Sequence, residues 1–252
     1  MKITILGSGT STGVPMVGCS CPVCRSEDPR DKRTRASILV RYNDRTVLID
    51  TSTDLRRQSI EHGIRRIDAV LFTHAHADHV NGIDDLRGFY FLHKEIIPCF
   101  GSGHTLETLH AGFSYIFREH EGSGYTPLLT SNTIESEFDL FGRPITPIPL
   151  VHGKTAALGY RVGGFAYLTD CSAIPDTSLS LLAGVELLVI DALRWTEHPF
   201  HFNIDQAVDA TRRLGAARVI LTHLTHEVAY AERVKLPHGF EFAYDGMEFD
   251  LL

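Results

Sequence analysis

The sequence predicts a single α/β domain rich in strands. Val-, Ile- and Leu-rich runs of strand length recur through all 252 residues and alternate with segments of helical period. No Pro/Ser-rich linker, charge block or internal repeat marks a boundary, so residues 1–252 are assigned to one domain. In chain order, Lys2–Leu6 is a first apolar strand. Ser37–Val40 and Thr46–Ile49 flank Asn43-Asp44, a residue pair suited to the left-handed turn of a two-residue hairpin. Thr53–His62 has a polar start and helical spacing, and Ala69–Phe72 is a short apolar strand. Ile97–Phe100 reads as a strand, His104–Phe117 as one helix, and Glu119–Thr133, with Gly122, Gly124 and Pro127, as an exposed loop. Strands follow at Ile145–Leu150, Leu158–Val162 and Phe165–Leu168, the last two joined by Gly163-Gly164. Helices at Asp176–Leu182, Asn203–Leu214 and Glu227–Lys235 then alternate with strands at Leu187–Ile190 and Arg218–Leu221.

Composition narrows the function classes. With 43% hydrophobic and 22% charged residues the chain has the make-up of a globular protein, not of a disordered tail or a fibre. A net charge of −7 disfavours a broad basic surface for polymeric nucleic acid or an acidic membrane. No apolar run approaches the roughly 18–20 residues of a membrane-spanning helix, and the start at Met1-Lys2-Ile3-Thr4-Ile5-Leu6-Gly7 is too short for a signal-peptide core, so the expected location is the cytoplasm. Cys19, Cys21 and Cys24 crowd into one short segment, a spacing that suits a metal better than a disulfide framework.

The chemistry concentrates in Phe72-Thr73-His74-Ala75-His76-Ala77-Asp78-His79, which leaves an apolar strand. Alternate residues of extended chain share a face, so His74 and His76 point together, and a turn at Asp78-His79 presents a second pair. Imidazoles and carboxylates suit zinc, manganese or iron, and two neighbouring pairs suggest two ions. His152, Asp170 and His223 each follow an apolar strand, and ligands at separate strand ends can converge on one sheet edge. Asp50 ends another such strand. From spacing alone it could orient a metal-bound histidine or be a turn or N-cap aspartate beside the helix near Thr53. Cys19, Cys21 and Cys24 supply three thiolates, and His226 is a candidate fourth ligand for tetrahedral zinc.

With its His74–His79 run and His152, Asp170 and His223 in order behind it, the sequence resembles the metallo-β-lactamase superfamily of binuclear hydrolases. The resemblance implies a four-layer αββα sandwich. It implies one ion on His74, His76 and His152, another on Asp78, His79 and His223, and Asp170 bridging them, with Asp78 serving as a catalytic carboxylate as well as a ligand. Asp50 corresponds to an acid that braces a metal-bound histidine.

The Gly7-Ser8-Gly9-Thr10-Ser11-Thr12-Gly13-Val14-Pro15 opening, the Cys-rich loop at 19–24, Thr169-Asp170-Cys171-Ser172, Thr222-His223-Leu224-Thr225-His226 and Asp245-Gly246-Met247-Glu248 look like the PhnP subgroup of cyclic-phosphate phosphodiesterases. That implies two active-site divalent ions, manganese or zinc, and a structural zinc on Cys19, Cys21, Cys24 and His226. His201 matches the subgroup's active-site histidine, here expected to protonate the leaving alkoxide; without the match it reads as a helix-entry residue beside Asn203. A segment at about 101–133, with Phe113, Tyr115, Phe117 and Tyr125, looks longer and more aromatic than in the subgroup. The glycine-rich opening lacks the third glycine of a dinucleotide fingerprint and the lysine of a P-loop, and reads as a turn beside the site.

The expected activity is hydrolysis of a small cyclic or linear phosphodiester by a metal-bridging hydroxide, the ions offsetting the acidic surface at short range. Thioester or other carbonyl-centre hydrolysis, and a non-enzymatic metal-binding or cofactor-carrier role, are the alternatives. A homodimer stays open.

Overall fold

The structure, a computed structural model, describes residues 1–118, 128–212 and 214–251. Its first half is built on strands β1 (Lys2–Gly7), β2 (Ser37–Tyr42), β3 (Arg45–Ile49), β4 (Ala69–Leu71), β5 (Ile97–Gly101) and β6 (Leu129–Thr133). Its second half holds β7 (Phe138–Leu140), β8 (Arg143–His152), β9 (Thr155–Val162), β10 (Phe165–Leu168), β11 (Leu187–Asp191), β12 (Arg218–Thr222) and β13 (Phe240–Phe242), and β14 (Glu248–Asp250) returns to the first half. Among the described residues they form two seven-stranded mixed sheets, ordered β14-β1-β2-β3-β4-β5-β6 and β13-β12-β11-β10-β9-β8-β7. In both, an antiparallel part gives way to a parallel one, at β3–β4 in the first and β10–β11 in the second.

Period-2 alternation explains why the strand sequences are apolar throughout. On β2, Ile38 and Val40 face the other sheet and pack with Tyr160, Phe165, Tyr167 and Val189. Leu39, between them, packs outward with Leu48 and Val70 against Leu55, Leu86 and Leu106, which belong to α1 (Leu55–Glu61), α3 (Leu86–His93) and α4 (Gly103–Gly112). On the far side, Leu188, Ile190 and Leu221 pack against Ile204, Ala207 and Val208 of α7 (Ile204–Arg212), and the single-turn helices α2 (Ala77–Val80) and α6 (Asp176–Leu179) fall between the longer ones in the chain. Each sheet is thus buried on both faces, and the result is the expected four-layer αββα sandwich. No helix among the described residues is long and apolar enough to cross a membrane.

Both hairpins form. Asn43 (φ 48°), Asp44 (φ 57°) and Gly163 (φ 58°) take the left-handed conformation their positions require. The helix at 203–214 forms as α7; Asn203 Oδ1 accepts from the Gln206 N–H at 2.8 Å and Gln206 Oε1 accepts from the Asn203 N–H at 3.0 Å, a reciprocal cap. Other expectations need correction. Residues 129–133 are not loop but the edge strand β6, whose polar sequence is compatible with β structure because parallel pairing to β5 satisfies its backbone while most of its side chains stay exposed. The rest of the expected loop, 119–127, lies outside the described residues, as does residue 213 of the expected last helix. The helix expected over 104–117 breaks at Phe113 (φ −127°, ψ 36°), after which α5 (Ser114–Phe117) adds one turn. In the expected helix at 227–235 only Tyr230–Lys235 coils, as a 3₁₀ turn, because the buried Arg33 takes the Thr225 and Val228 carbonyls at 3.0 and 2.8 Å. Strands β7, β13 and β14 leave no apolar run in sequence because acidic residues break the short segments Phe138-Asp139-Leu140, Phe240-Glu241-Phe242 and Glu248-Phe249-Asp250.

The sheets are pinned together beneath the His-rich run. Tyr160 on β9 donates its buried hydroxyl to the Phe72 carbonyl at 2.6 Å, and the Leu158 N–H donates to the Thr73 carbonyl at 3.0 Å. Tyr160→Phe should therefore cost about 1–3 kcal/mol in denaturant unfolding, because it strips a buried carbonyl of a donor; an unchanged midpoint would show that this bond does not couple the sheets.

Candidate active site

The chain following β4 is set by Asp50, which lies directly after β3 and is fully buried. Its carboxylate accepts from the Thr73 N–H and Thr73 hydroxyl at 2.8 Å each and from His79 Nδ1 at 2.7 Å. Its role as a brace for a histidine, one of two readings left open by spacing, is the one the structure bears out. Because the Thr73 hydroxyl donates to Asp50, its oxygen accepts from His74 Nδ1 at 3.0 Å. His152, the last residue of β8, directs Nδ1 to the Phe200 carbonyl at 2.9 Å. All three imidazoles therefore carry the proton on Nδ1 and present Nε2 to one space.

That space is shared by His74, His76, Asp78 and His79 of the run with His152, Asp170 and His223. Ligand atoms of His74, His76, His152 and Asp170 lie within 4.8 Å of one another, and so do those of Asp78, His79 and His223. Asp170, just past β10, faces both sets with different oxygens. Oδ2 lies 3.7 Å from His74 Nε2 and 3.8 Å from His152 Nε2, whereas Oδ1 lies 3.2 Å from His79 Nε2 and 3.3 Å from His223 Nε2. Asp78 Oδ2 is 3.3 Å from His79 Nε2 and 3.6 Å from His223 Nε2.

These donors fit divalent cations. Nε2 of His74, His79 and His223 is buried with no hydrogen-bond partner among the described residues, a costly state for a polar atom unless an ion takes the lone pair. The electrostatics agree. Burial alone would keep His79 neutral, but the surrounding carboxylates of Asp170, Asp78 and Asp50 outweigh it and raise its pKa well above the usual imidazole value. Burial likewise opposes charge on His223, yet Asp170, Asp78 and Asp191 push it up to about 9. Burial also works against ionisation of Asp170, but His223, His79 and His74 hold its carboxyl well below the usual range. The centre demands positive charge between its carboxylates.

Asp191, the last residue of β11, was missed in sequence. Its Oδ2 accepts from His201 Nδ1 at 2.8 Å and from the Cys171 N–H at 2.9 Å, while Oδ1 lies 3.6 Å from His223 Nδ1. An aspartate closing the apolar run Leu187–Ile190 is the same pattern that marked Asp50 and could have found it. His201 stacks on His223 with centroids 5.0 Å apart and planes at 15°, its side chain 12% exposed. One of its ring nitrogens lies within 4.8 Å of ligand atoms of Asp170 and His223. The helix-entry reading is superseded: Asn203 is capped by Gln206, and His201 belongs to the centre.

The Cys-rich loop forms a second, separate cluster. Sγ of Cys19, Cys21 and Cys24 and a ring nitrogen of His226 lie within 4.8 Å of one another, with His226 Nδ1 3.4 Å from both Cys19 and Cys21. Three sulfurs and one imidazole match tetrahedral zinc. The Cys24 N–H and His226 pull the Cys21 thiol down to about 6, favouring the thiolate a metal needs. His226 is brought there by Arg33, which holds the carbonyls on either side of it and pairs with Asp31 at 3.3 Å. The described aromatics of the 101–133 segment sit elsewhere: Phe113 and Phe117 pack under the helical layer, and Tyr115 donates to Asp84 at 2.9 Å. Tyr125 lies outside the described residues.

Comparison with known proteins agrees with this geometry. Residues 45–224 match the Beta-lactamase superfamily domain, and the chain belongs to the metallo-β-lactamase superfamily. Within it the similarity is to the PhnP family: a diphosphatase of that family has 39% identity and a TM-score of 0.93, covering 100% of this chain and 98% of its own. An octanoyltransferase of Porphyromonas gingivalis is 40% identical over 98% of this chain, which spans only 51% of that relative's length. Zn²⁺-bound PqqB of Methylobacterium extorquens shares the fold at 20% identity, covering 100% of both chains with a TM-score of 0.75.

Two outcomes follow from the charges and the clip. In chelator-stripped protein His223 keeps its proton up to about pH 9, whereas the unfolded chain loses it near 6.5. Its stabilisation is then complete below the unfolded value and lost as pH rises through the folded one, so the melting temperature of stripped protein should fall between those limits while reloaded protein stays level. A level profile for stripped protein would mean that His223 is neutral there. Cys21→Ser should lower zinc content and melting temperature more than the chemical rate, since metal binding contributes folding free energy; elemental analysis and a thermal melt check it, and an unaltered zinc content would remove Cys21 from the ligand set.

Proposed function

We propose that the protein is a binuclear metal-dependent phosphodiesterase acting on a small cyclic or linear phosphodiester. The observation that carries this reading is Asp170, whose two oxygens face two separate ligand sets. His74, His76 and His152 would hold one ion, Asp78, His79 and His223 the other, with Asp170 between them and zinc on the Cys19, Cys21, Cys24 and His226 clip. Manganese or zinc in the first two places would supply Lewis acidity toward phosphoryl oxygens and lower the pKa of water. The likeness to a PhnP-family diphosphatase supports chemistry at phosphorus.

The chain's own part is positioning and proton transfer. Asp191 holds His201 through Nδ1, so Nε2 is the atom that meets the leaving oxygen and hands it a proton. The stack on His223 fixes the ring plane relative to the ligand set. A second reading, attack at a carbonyl centre, has support from the octanoyltransferase relative, although half of that protein lies outside the match.

His201→Ala should lower turnover of alkyl phosphodiesters by about 10²–10⁴-fold while leaving metal content intact. The defect should shrink on aryl diesters, whose phenolate departs without a proton. Equal loss on both would assign His201 to substrate placement. Turnover of thioesters but of no phosphodiester by the metal-loaded protein would overturn the reading itself.

A further inference from the structure

Phe200 differs from the other exposed apolar side chains, such as Val17, Ile60, Leu92 and Val234, in being tied to the metal centre by its backbone. Its carbonyl accepts from His152 Nδ1 at 2.9 Å, and its N–H donates to His198 Nδ1 at 3.3 Å. The main chain is thus fixed on both sides, yet the residue is 49% exposed. Its ring rests against Gly153, directly after His152. A Cβ there would come within 2.7 Å of Phe200 Cδ1, and φ of +58° also favours glycine, so position 153 is shaped to receive the ring.

The neighbouring imidazoles do not stack on it. His152 and His198 lie with centroids 6.4 and 5.9 Å away and planes at 78° and 76°. His198 in turn sits 5.1 Å from His201, the proposed proton donor. A rigid aromatic ring with no stacked partner among the described residues, registered to a metal-site histidine and one residue from the proton donor, pre-pays the ordering cost of receiving another flat ring.

We propose that Phe200, with His198 beside it, seats a flat heteroaromatic ring on the organic part of the substrate, so that the ester handled at the centre is that of a nucleoside-like alcohol. This rests on the phosphodiesterase reading for the reaction but not for the binding. The phosphate is drawn to the metal centre, and the base, one sugar away, lies on Phe200. Alkyl or sugar groups offer no extended π-face to that ring.

Calorimetry on the Mn²⁺-loaded full chain, with adenosine 5′-monophosphate and ribose 5-phosphate as probes, tests it. The nucleotide should bind about 5- to 100-fold more tightly than the base-free sugar phosphate, the range of one base stacked on one aromatic ring. Phe200→Ala should remove that advantage, Phe200→Trp should keep it, and Phe200→Leu, which keeps the bulk without the π-face, should lose most of it. None of these substitutions touches the carbonyl that His152 uses, and metal content reports whether the centre survives. Equal affinity of the two probes for the unaltered protein, or an advantage that persists in Phe200→Ala, overturns the proposal. A base-dependent advantage that vanishes in Phe200→Ala, in a protein that hydrolyses no phosphodiester, would sustain the seat and sink the reaction.

Discussion

Buried carboxylates at the ends of neighbouring strands are the constraint around which this molecule is arranged. Asp50 follows β3, Asp170 follows β10 and Asp191 ends β11, and each is withdrawn from water almost completely. A buried carboxylate is tolerable only if donors or cations surround it. Asp50 finds two donors in Thr73 and one in His79, Asp191 finds His201 and the Cys171 N–H, and Asp170 is ringed by the Nε2 atoms of His74, His79, His152 and His223. His79, His74, His201 and His223 are placed, directly or at one remove, by these charges, whereas His152 is directed by the Phe200 carbonyl.

Neither sheet holds a complete site. His74, His76, Asp78 and His79 leave the first sheet, while His152, Asp170 and His223 leave the second. Ions bound between them would therefore tie the two halves of the sandwich across the same edge that the Tyr160 and Leu158 bonds already close. The Cys-rich loop repeats the device on a smaller scale, with Arg33 and Asp31 as the protein scaffold that brings His226 to three thiols.

The backbone carries strain at the same places. Asp50, Asp170 and His223 have φ of 64°, 53° and 62°, a region that side-chain-bearing residues seldom enter. Each lies just past a strand, where a left-handed residue turns the chain sharply and swings its side chain toward the shared edge. Such conformations cost of order 1–3 kcal/mol each and persist where the surrounding bonds over-determine them. Here those bonds are the ones that satisfy the buried charges.

Much of this was legible in the residues themselves. The His74–His79 run, the apolar strands ending in His152, Asp170 and His223, and the three-cysteine loop signalled their chemistry because ligand types are rare and their spacing is local. The hairpin turns and the apolar strands were legible for the same reason, since alternation and turn residues act over a few positions. Asp191 escaped because one aspartate at a strand end looks like any other until its partners, ten and thirty-two residues away, are seen beside it. The edge strand β6 escaped because its polar sequence is stabilised by a neighbour and not by its own pattern. Residue type and local spacing thus decided which chemistry the chain can carry. Which oxygen of Asp170 serves which ligand set, which histidine nitrogen faces inward and how Phe200 is held beside the centre were decided only by the packing of two sheets, because those relations join residues distant in sequence whose geometry no local rule encodes.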